Sequence, residues 1–594
     1  MRLKKLLPLI AIVVAVCAAY APVVRDGFVW DDTALILRDP LIRSWRLIPE
    51  GFQHFLFTDA TPSDFYRPIQ RLTYTFEYWA FAARPAAYHV TSVLCHVLAA
   101  LAFLLFANEF LGRFAIEERR RRVAVFFATL AWAVHPLHHG AVAYVSGRAD
   151  PLSAAFGFAA LYFALRSDRT AGAAVWRFSI AAAALFLCSA LSKEMGLIFP
   201  ALWCAIIITG KQWRDLVRWG GVTAAMLVIY ASLRLAAEHI PAPRIQTPPP
   251  PLVRPIIAAR ALAEYAGLLV LPINLHVERD VETKPDPKNP DSAKIAAWRE
   301  LETLAGMIVM GGWLFWIWRS RKRDAAVFTI LVCGLLAYLP ISGALLLNAG
   351  IAEHWIYLPS AFVLLAAAVE LSRRAGFVIA AFAGAWLVSL ATTTFRHTFD
   401  WKDQQTFFSR TIAAGGDSAR MLINLAIVEI SDGKLEDAKK HLGQALEKAP
   451  KNPLAVINLA AVAVRQKDFK RAHELVDQAA TMDVVAAQAQ ELRVILDNQE
   501  SGKVDLMRMR LASRTGVASW PIEKRYVRLL AENGALAAAI AETKGVLKTD
   551  WYRAETWELL GELCVRAGMQ KDAAEAFERA HAYDVHLQLR PKVL

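Results

Sequence analysis

The 594-residue sequence predicts an all-α protein in two parts, a polytopic membrane domain followed by a solenoid of paired helices. Three observations predict it. The chain is 56% hydrophobic with a mean hydropathy of +0.33, too apolar for an ordinary soluble protein. Apolar runs with short basic interruptions follow one another to about Thr394, after which the chain is charged, Ala-rich and free of spanning runs. In that last region a shift of 34 residues superposes Asn424-Leu425-Ala426 on Asn458-Leu459-Ala460, Ala438 on Ala472 and Ala445 on Ala479.

The first apolar segment runs from Leu6 to Val24 behind Arg2, Lys4 and Lys5. Its end, Ala19-Tyr20-Ala21, has the small residues of a signal-peptide cleavage site, but Pro22 would follow the cut directly, so a retained helix is expected. A polar, aromatic loop follows to about Ala87, with the amphipathic run Leu72 to Phe81 expected to lie along the membrane surface. Further runs occupy 89–111, 123–137, 151–165, 178–191, 195–209, 220–237, 303–318, 325–341, 355–371 and 377–394, making about eleven spans with the first. Residues 256–272 are apolar but carry Arg260 and Glu264. If this segment does not cross, the basic patches at 113–122, 166–177, 211–218, 319–323 and 373–374 all face the cytoplasm. The expected division is therefore a membrane domain over 1–398 with an external loop at 25–88, a linker at 399–417, and an external repeat domain over 418–594. The Pro-rich 248–251 tract and the Lys/Asp/Pro-rich 283–291 loop fall in a further external segment.

In the repeats, Ala at fixed spacing lets paired helices approach closely, while Gly433 and Pro450 end helices, which is the logic of the tetratricopeptide repeat. A degenerate copy covers 487–520, another carries Gly534 and Ala539, and a clear one runs from Trp557 through Gly561, Gly568, Ala573 and Ala580. Such a stack offers a surface for a peptide or protein partner. The excess of 13 positive charges lies largely in the membrane half and reads as topology signal, so no nucleic-acid partner is expected. Five of the six cysteines fall in apolar runs and Cys564 in a repeat helix, which argues against a disulfide framework or a Cys-based metal site.

This topology gathers the polar groups at span ends on one side. Gly27-Phe28-Val29-Trp30-Asp31-Asp32 follows the first span, with Phe28 and Trp30 suited to the interface and both carboxylates just outside it. His135, His138 and His139, then Arg148 and Asp150, lie between the third and fourth spans, Lys193-Glu194 between the fifth and sixth, and Glu353-His354 between the ninth and tenth. Each has a plain alternative, a satisfied interface histidine or an exposed ion pair. Acids mixed with Arg, Lys and His on one face suit a cavity that handles a phosphate and a hydroxyl.

These residues resemble a known family, the polyprenol-phosphate-sugar-dependent glycosyltransferases of the type C fold that carry tetratricopeptide repeats, close to the transmembrane-and-repeat O-mannosyltransferases. The resemblance rests on Phe28-Val29-Trp30-Asp31-Asp32, on Tyr66-Arg67-Pro68 followed by Tyr88-His89, and on His135-Pro136-Leu137-His138 running into Ser146-Gly147-Arg148-Ala149-Asp150. It continues through Leu191-Ser192-Lys193-Glu194 and Ala352-Glu353-His354-Trp355-Ile356-Tyr357-Leu358-Pro359. The chain departs from the family pattern at Gly140, where an acid is common, and at His354, where an Arg is common; both bear on contacts to the donor phosphate.

The resemblance implies an inverting transfer of a sugar, mannose being the candidate, from a polyprenyl phosphate to an acceptor hydroxyl. Chemistry then assigns Asp32 as base, with Asp31 orienting it or holding a divalent metal, which the acids allow but do not require. Arg148, Lys193, His354 and more weakly Arg67 are candidates for the leaving phosphate, with Asp150, Glu194, Glu353, His135 and His138 lining the donor pocket. The expected partners are the lipid-linked donor, an acceptor protein or glycan, and a protein on the repeats, which hold the acceptor without contributing to transfer. Absence of any Asn-x-Ser/Thr sequon suits a bacterial inner membrane with periplasmic repeats better than the endoplasmic reticulum. An inactive membrane-anchored repeat scaffold is the alternative; a transporter fits less well, since no duplication of spans is visible.

Overall fold

The computed structural model describes residues 2–58, 63–239, 253–279, 290–343, 351–374, 376–502, 506, 509–510 and 520–587. The 248–251 tract and most of the 283–291 loop lie outside these. Among the described residues the protein is all-α apart from one two-stranded sheet, in which Glu278–Arg279 pairs antiparallel with Ile351–Ala352. It forms two compact units that do not follow the linear order of the chain. Residues 1–29, 85–235 and 248–416 make the first; residues 30–84, 236–247 and 417–594 make the second. The loop that carries Asp31-Asp32 thus groups by contact with the repeats.

In the first unit, six helices among the described residues are long and apolar enough to cross a membrane: Pro85–Leu111, Ala173–Ser192, Asp215–Ala236, Arg299–Ser320, Glu353–Arg373 and Phe377–Trp401. The other expected spans fall on shorter apolar helices, Leu6–Ala19, Glu194–Thr209 and Ala325–Ile341, or on the helices Glu118–Ala133 and Ala149–Ser167. Shortness is tolerated where neighbours cover a helix. Ala149–Ser167 packs against Ala173–Ser192 through Ser153 and Ser189, whose hydroxyls lie 3.0 Å apart, and Ser167 and Ser179, 2.9 Å apart. Small residues bring the backbones close, and the hydroxyls satisfy each other where water is absent. The ambiguous 256–272 stretch is the helix Arg254–Val270, which is not among the six. Its charges are matched internally: Arg260 donates to Thr303 Oγ1 at 2.9 Å and pairs with Glu300, while Glu264 accepts from Arg279 at 3.1 Å.

In the second unit, helices pair in the tetratricopeptide manner: Ala419–Ser431 with Leu435–Lys448, Pro453–Gln466 with Phe469–Ala480, and Ala554–Arg566 with Gln570–Tyr583. The turn inside each pair requires a left-handed residue, and Gly433, Lys467, Gly502, Gly534 and Gly568 all have positive φ. Their spacing tracks the 34-residue period, so the repeat is visible in the backbone where side chains have drifted. Helix starts carry side-chain caps: Asn452 accepts from Leu454 N and Ala455 N ahead of Pro453, and Asp468 accepts from Arg471 N. Ala438, Ala472, Ala539 and Ala573 are buried at the helix contacts. At Gly561 a Cβ would lie 2.6 Å from the Phe577 ring, so glycine is needed there for close approach.

Candidate active site

The motifs around Arg148 and Lys193 in the first unit are held by specific close contacts. Ser146–Arg148 forms a 3₁₀ turn that passes against the turn at Gly140, and a Cβ on Gly147 would sit 2.1 Å from the Gly140 carbonyl oxygen. The glycine lets the turn seat, and Arg148 follows it into the interior, fully buried. There its Nε donates to Ser92 Oγ at 3.2 Å and Nη2 to the Tyr88 carbonyl at 2.5 Å, with its guanidinium 5.9 Å from the Tyr88 ring. Asp150, one turn on, pairs with Lys193 at 2.6 Å; both are largely buried. The Lys193 charge is therefore balanced within the fold, while Asp150 Oδ2 is buried with no hydrogen-bond partner among the described residues. Glu194 opens the next 3₁₀ turn, Glu194–Leu197, half-buried.

A cavity of about 290 Å³ lies in the first unit, at the start of the candidate span Glu353–Arg373 and the end of Phe377–Trp401. His139, Gly140, Glu353, His354, His397, Asp400, Trp401 and Arg410 line it, with the 274–277 segment closing one wall. Glu353 is committed to its own loop: its Oε1 accepts from Arg279 Nη2 at 2.8 Å, Arg279 Nε at 3.1 Å and His276 N at 2.9 Å, which ties the two-stranded sheet to the wall. His397 Nδ1 lies 2.6 Å from Asp400 Oδ2, and Arg410 Nε 4.0 Å from Asp400 Oδ1. His139 is 5% exposed, yet neither ring nitrogen has a hydrogen-bond partner among the described residues. Burial, reinforced by the neighbouring His397, holds its pKa well below the usual value, so the ring is neutral and offers one donor and one acceptor. Its ring stands 5.7 Å from Trp401 and 6.1 Å from His397. A neutral imidazole, an indole face, a carboxylate and an Arg at the rim suit a ligand that is both hydroxylated and anionic.

Of the residues singled out from the sequence, the structure brings Glu353 and His354 to this cavity and places Arg148 with the Asp150–Lys193 pair elsewhere in the same unit. His135 and His138 are satisfied structural histidines: His135 Nε2 meets the Leu269 carbonyl at 3.0 Å, and His138 bridges the Trp132 carbonyl and Ser360 Oγ at 2.8 and 3.1 Å. Gly140 and His354, the two departures from the family pattern, face each other, since a Cβ at Gly140 would lie 3.4 Å from His354 Nδ1. His397, Asp400, Trp401 and Arg410 were not singled out from the sequence. Their signal was available in the cluster of ionisable groups after the last span, by the same reasoning that selected Glu353-His354.

Asp31, Asp32 and Arg67 belong to the second unit. Asp32 is fully buried and Asp31 half-buried. Trp30 has φ of 51°, in the left-handed region, and the Asp31 carbonyl then accepts from Ala34 N and Leu35 N at 3.0 and 2.9 Å, which starts the π-helical turn Thr33–Arg38. Arg67 stacks on Phe65 at 4.3 Å. The arginine that organises this loop is Arg71, which sequence reasoning passed over. It is buried, pairs with Asp39 at 3.0 Å, and donates to the Gly51, His54 and Phe55 carbonyls at 2.8, 3.0 and 2.8 Å. Among the described residues no group of three or more His, Cys, Asp and Glu side chains is arranged to hold a metal ion.

Comparison with known proteins agrees with this division. A tetratricopeptide-repeat model matches residues 429–494. A protein O-mannosyl-transferase of Caenorhabditis elegans is 24% identical over 73% of this chain and 61% of its own length. The chain is similar to the protein O-mannosyl-transferases. The human relative TMTC3 is 24% identical over 78% of the chain, and a Drosophila relative 23% over 80%. The chain spans between half and two thirds of the length of these relatives, 61%, 54% and 59% respectively. Among solved structures, ArnT from Cupriavidus metallidurans bound to undecaprenyl phosphate covers 92% of this chain at 15% identity, with a TM-score of 0.37.

Proposed function

We propose that this protein is an integral-membrane glycosyltransferase that moves a sugar, mannose being the candidate, from a polyprenyl phosphate to an acceptor hydroxyl, the Ser or Thr of a protein. The observation that carries this reading is the cavity at the span ends, where buried His139, neither ring nitrogen of which has a hydrogen-bond partner among the described residues, stands with Trp401, the His397–Asp400 pair and Arg410. The similarity to protein O-mannosyl-transferases supports the reaction class. The acceptor oxygen attacks the anomeric carbon as the bond from that carbon to the phosphate oxygen breaks, with inversion. The electron pair leaves with the lipid phosphate, and the acceptor proton passes to a carboxylate, for which Asp32 is the assigned base and Asp31 its orienting partner. His354 and Arg410 stabilise the departing phosphate; Arg148, buried elsewhere in the same unit, and Lys193, already balanced by Asp150, serve to hold the Ser146–Arg148 turn in place. If a divalent metal takes part, Asp31 and Asp32 are the residues that would hold it and it would offset charge on the donor phosphate. The external face is the bacterial periplasm, with the endoplasmic reticulum lumen the alternative.

The test is kinetic. His139→Leu should raise the donor KM with kcat little changed, Arg410→Ala should raise the donor KM and also lower kcat, and Asp32→Asn should lower kcat by ~10²–10⁴ with donor KM near wild type. If the cavity variants leave donor KM unchanged, the cavity is not the donor site.

A further inference from the structure

The second unit holds a relationship that the linear order of the chain conceals. The repeats grip the aspartate loop at both of their ends. At the near end, Arg420 in the first repeat helix, Ala419–Ser431, stacks its guanidinium 5.3 Å from the centre of the Trp30 ring. Trp30 is the residue whose left-handed backbone sets the direction of Asp31 and Asp32, a conformation that costs energy for any L-residue with a side chain and persists only when its surroundings hold it. At the far end, Tyr552 packs in one apolar cluster with Leu41 and Leu47, and its ring lies 5.5 Å from that of His54. Beyond the last repeat helix, Asp584 Oδ1 accepts from the Tyr78 hydroxyl at 3.0 Å, and His586 Nε2 meets the Tyr78 carbonyl at 2.8 Å. The Arg71 network then makes the segment between the two grips a single braced piece.

We propose that the repeat stack is a positioning body for Asp31-Asp32, with Arg420 and Tyr552 as positioning residues, so that strain placed on the repeats by a bound acceptor reaches the catalytic loop. This goes beyond holding the acceptor, and it rests on the transferase reading only for its kinetic consequence. A carboxylate base needs its geometry held to a fraction of an ångström, and a loop gripped at two ends of a stiff solenoid supplies that. The sequence expectation that the repeats take no part in transfer followed from linear order, since the recognisable motifs end at Pro359 and the repeats begin near Ala419.

The experiment uses full-length protein in lipid nanodiscs and reads amide hydrogen exchange at Ala34 and Leu35, whose N–H groups bond to the Asp31 carbonyl. Arg420→Ala and Tyr552→Ala should each accelerate exchange there by about ten-fold or more, Tyr552→Phe should restore it, and Leu475→Ala, a core change within the repeats, should leave it at the wild-type rate. In the two grip variants kcat for sugar transfer should fall about ten-fold with donor KM within about two-fold of wild type. Unchanged exchange at Ala34 and Leu35 in both folded grip variants would overturn the proposal. Accelerated exchange in a protein that turns over no lipid-linked sugar would uphold the mechanical coupling and defeat the transferase reading instead.

Discussion

Asp26 shows how a single side chain can set a pH limit on this fold. It is 5% exposed, and its Oδ2 has no hydrogen-bond partner among the described residues. Burial, with the Asp403 charge adding to it, pushes its pKa from 3.8 up to about 7. The folded state therefore holds a proton that the unfolded chain has released over the window from about pH 4 to about pH 7, and stability falls as pH rises through that window. Asp26→Asn, neutral throughout, should flatten this slope, raising the thermal midpoint at pH 8 more than at pH 5; a parallel slope in the variant would show that Asp26 is not the titrating group. At this scale the sequence was partly legible. It pointed to Arg148 and to Glu353-His354 as buried or cavity groups, because a charge at a span end must find a partner or a cavity. It chose His135 and His138 over His139, and Arg67 over Arg71, because which of several adjacent like residues points into a cavity depends on backbone turns that spacing does not encode.

Turns do at the level of elements what charges do at the level of residues. The contact of Gly147 with the Gly140 carbonyl makes two motifs, one ending in His138-His139-Gly140 and one beginning with Ser146, into a single packed corner. Gly147→Ala must push a backbone carbonyl aside, and overpacking of this kind costs ~1–3 kcal/mol or more. The expected result is a lower thermal midpoint and loss of whatever function depends on the Arg148 turn; a variant as stable as wild type would mean the corner is looser than the structure has it. The repeat helices were readable because Ala spacing and a left-handed turn residue recur together, and even Lys467, where the glycine is missing, keeps φ at 60°. Span helices were less so. Eleven apolar runs are counted in the sequence, but Glu118–Ala133 begins in a run of arginines, and only six helices among the described residues have both the length and the hydropathy to cross. A run covered by neighbouring helices reads the same in sequence as one that faces lipid.

For the whole molecule, basic patches read from the sequence as cytoplasmic meet acids of the first unit in two separate sets of ion pairs. Asp168 pairs with Arg113 at 3.4 Å and Arg218 at 3.0 Å, Glu109 pairs with Arg169 at 2.7 Å, and Arg373 pairs with Asp324. In a background lacking the native cysteines, a cysteine at Arg321 should stay protected from an impermeant maleimide in intact cells, while one at Lys467 should react; the reverse pattern would invert the topology. What the sequence could not convey at this scale is that residues 30–84 belong with the repeats, because the contacts of Tyr78 with Asp584 and of Leu41 with Tyr552 join positions some five hundred residues apart.

Sugar transfer by this chain is tested most directly by following radiolabelled sugar from a polyprenyl phosphate into Ser/Thr-bearing acceptor protein, using purified full-length wild type and Asp32→Asn. Thermal unfolding of both samples shows whether each is folded. The expected result is transfer by wild type with one polyprenyl phosphate released for each sugar moved, and a rate lower by ~10²–10⁴ for the equally stable Asn variant. A folded wild type that turns over no lipid-linked sugar, or an Asn variant as fast as wild type, would contradict it; the first result would leave a membrane-anchored repeat scaffold in its place.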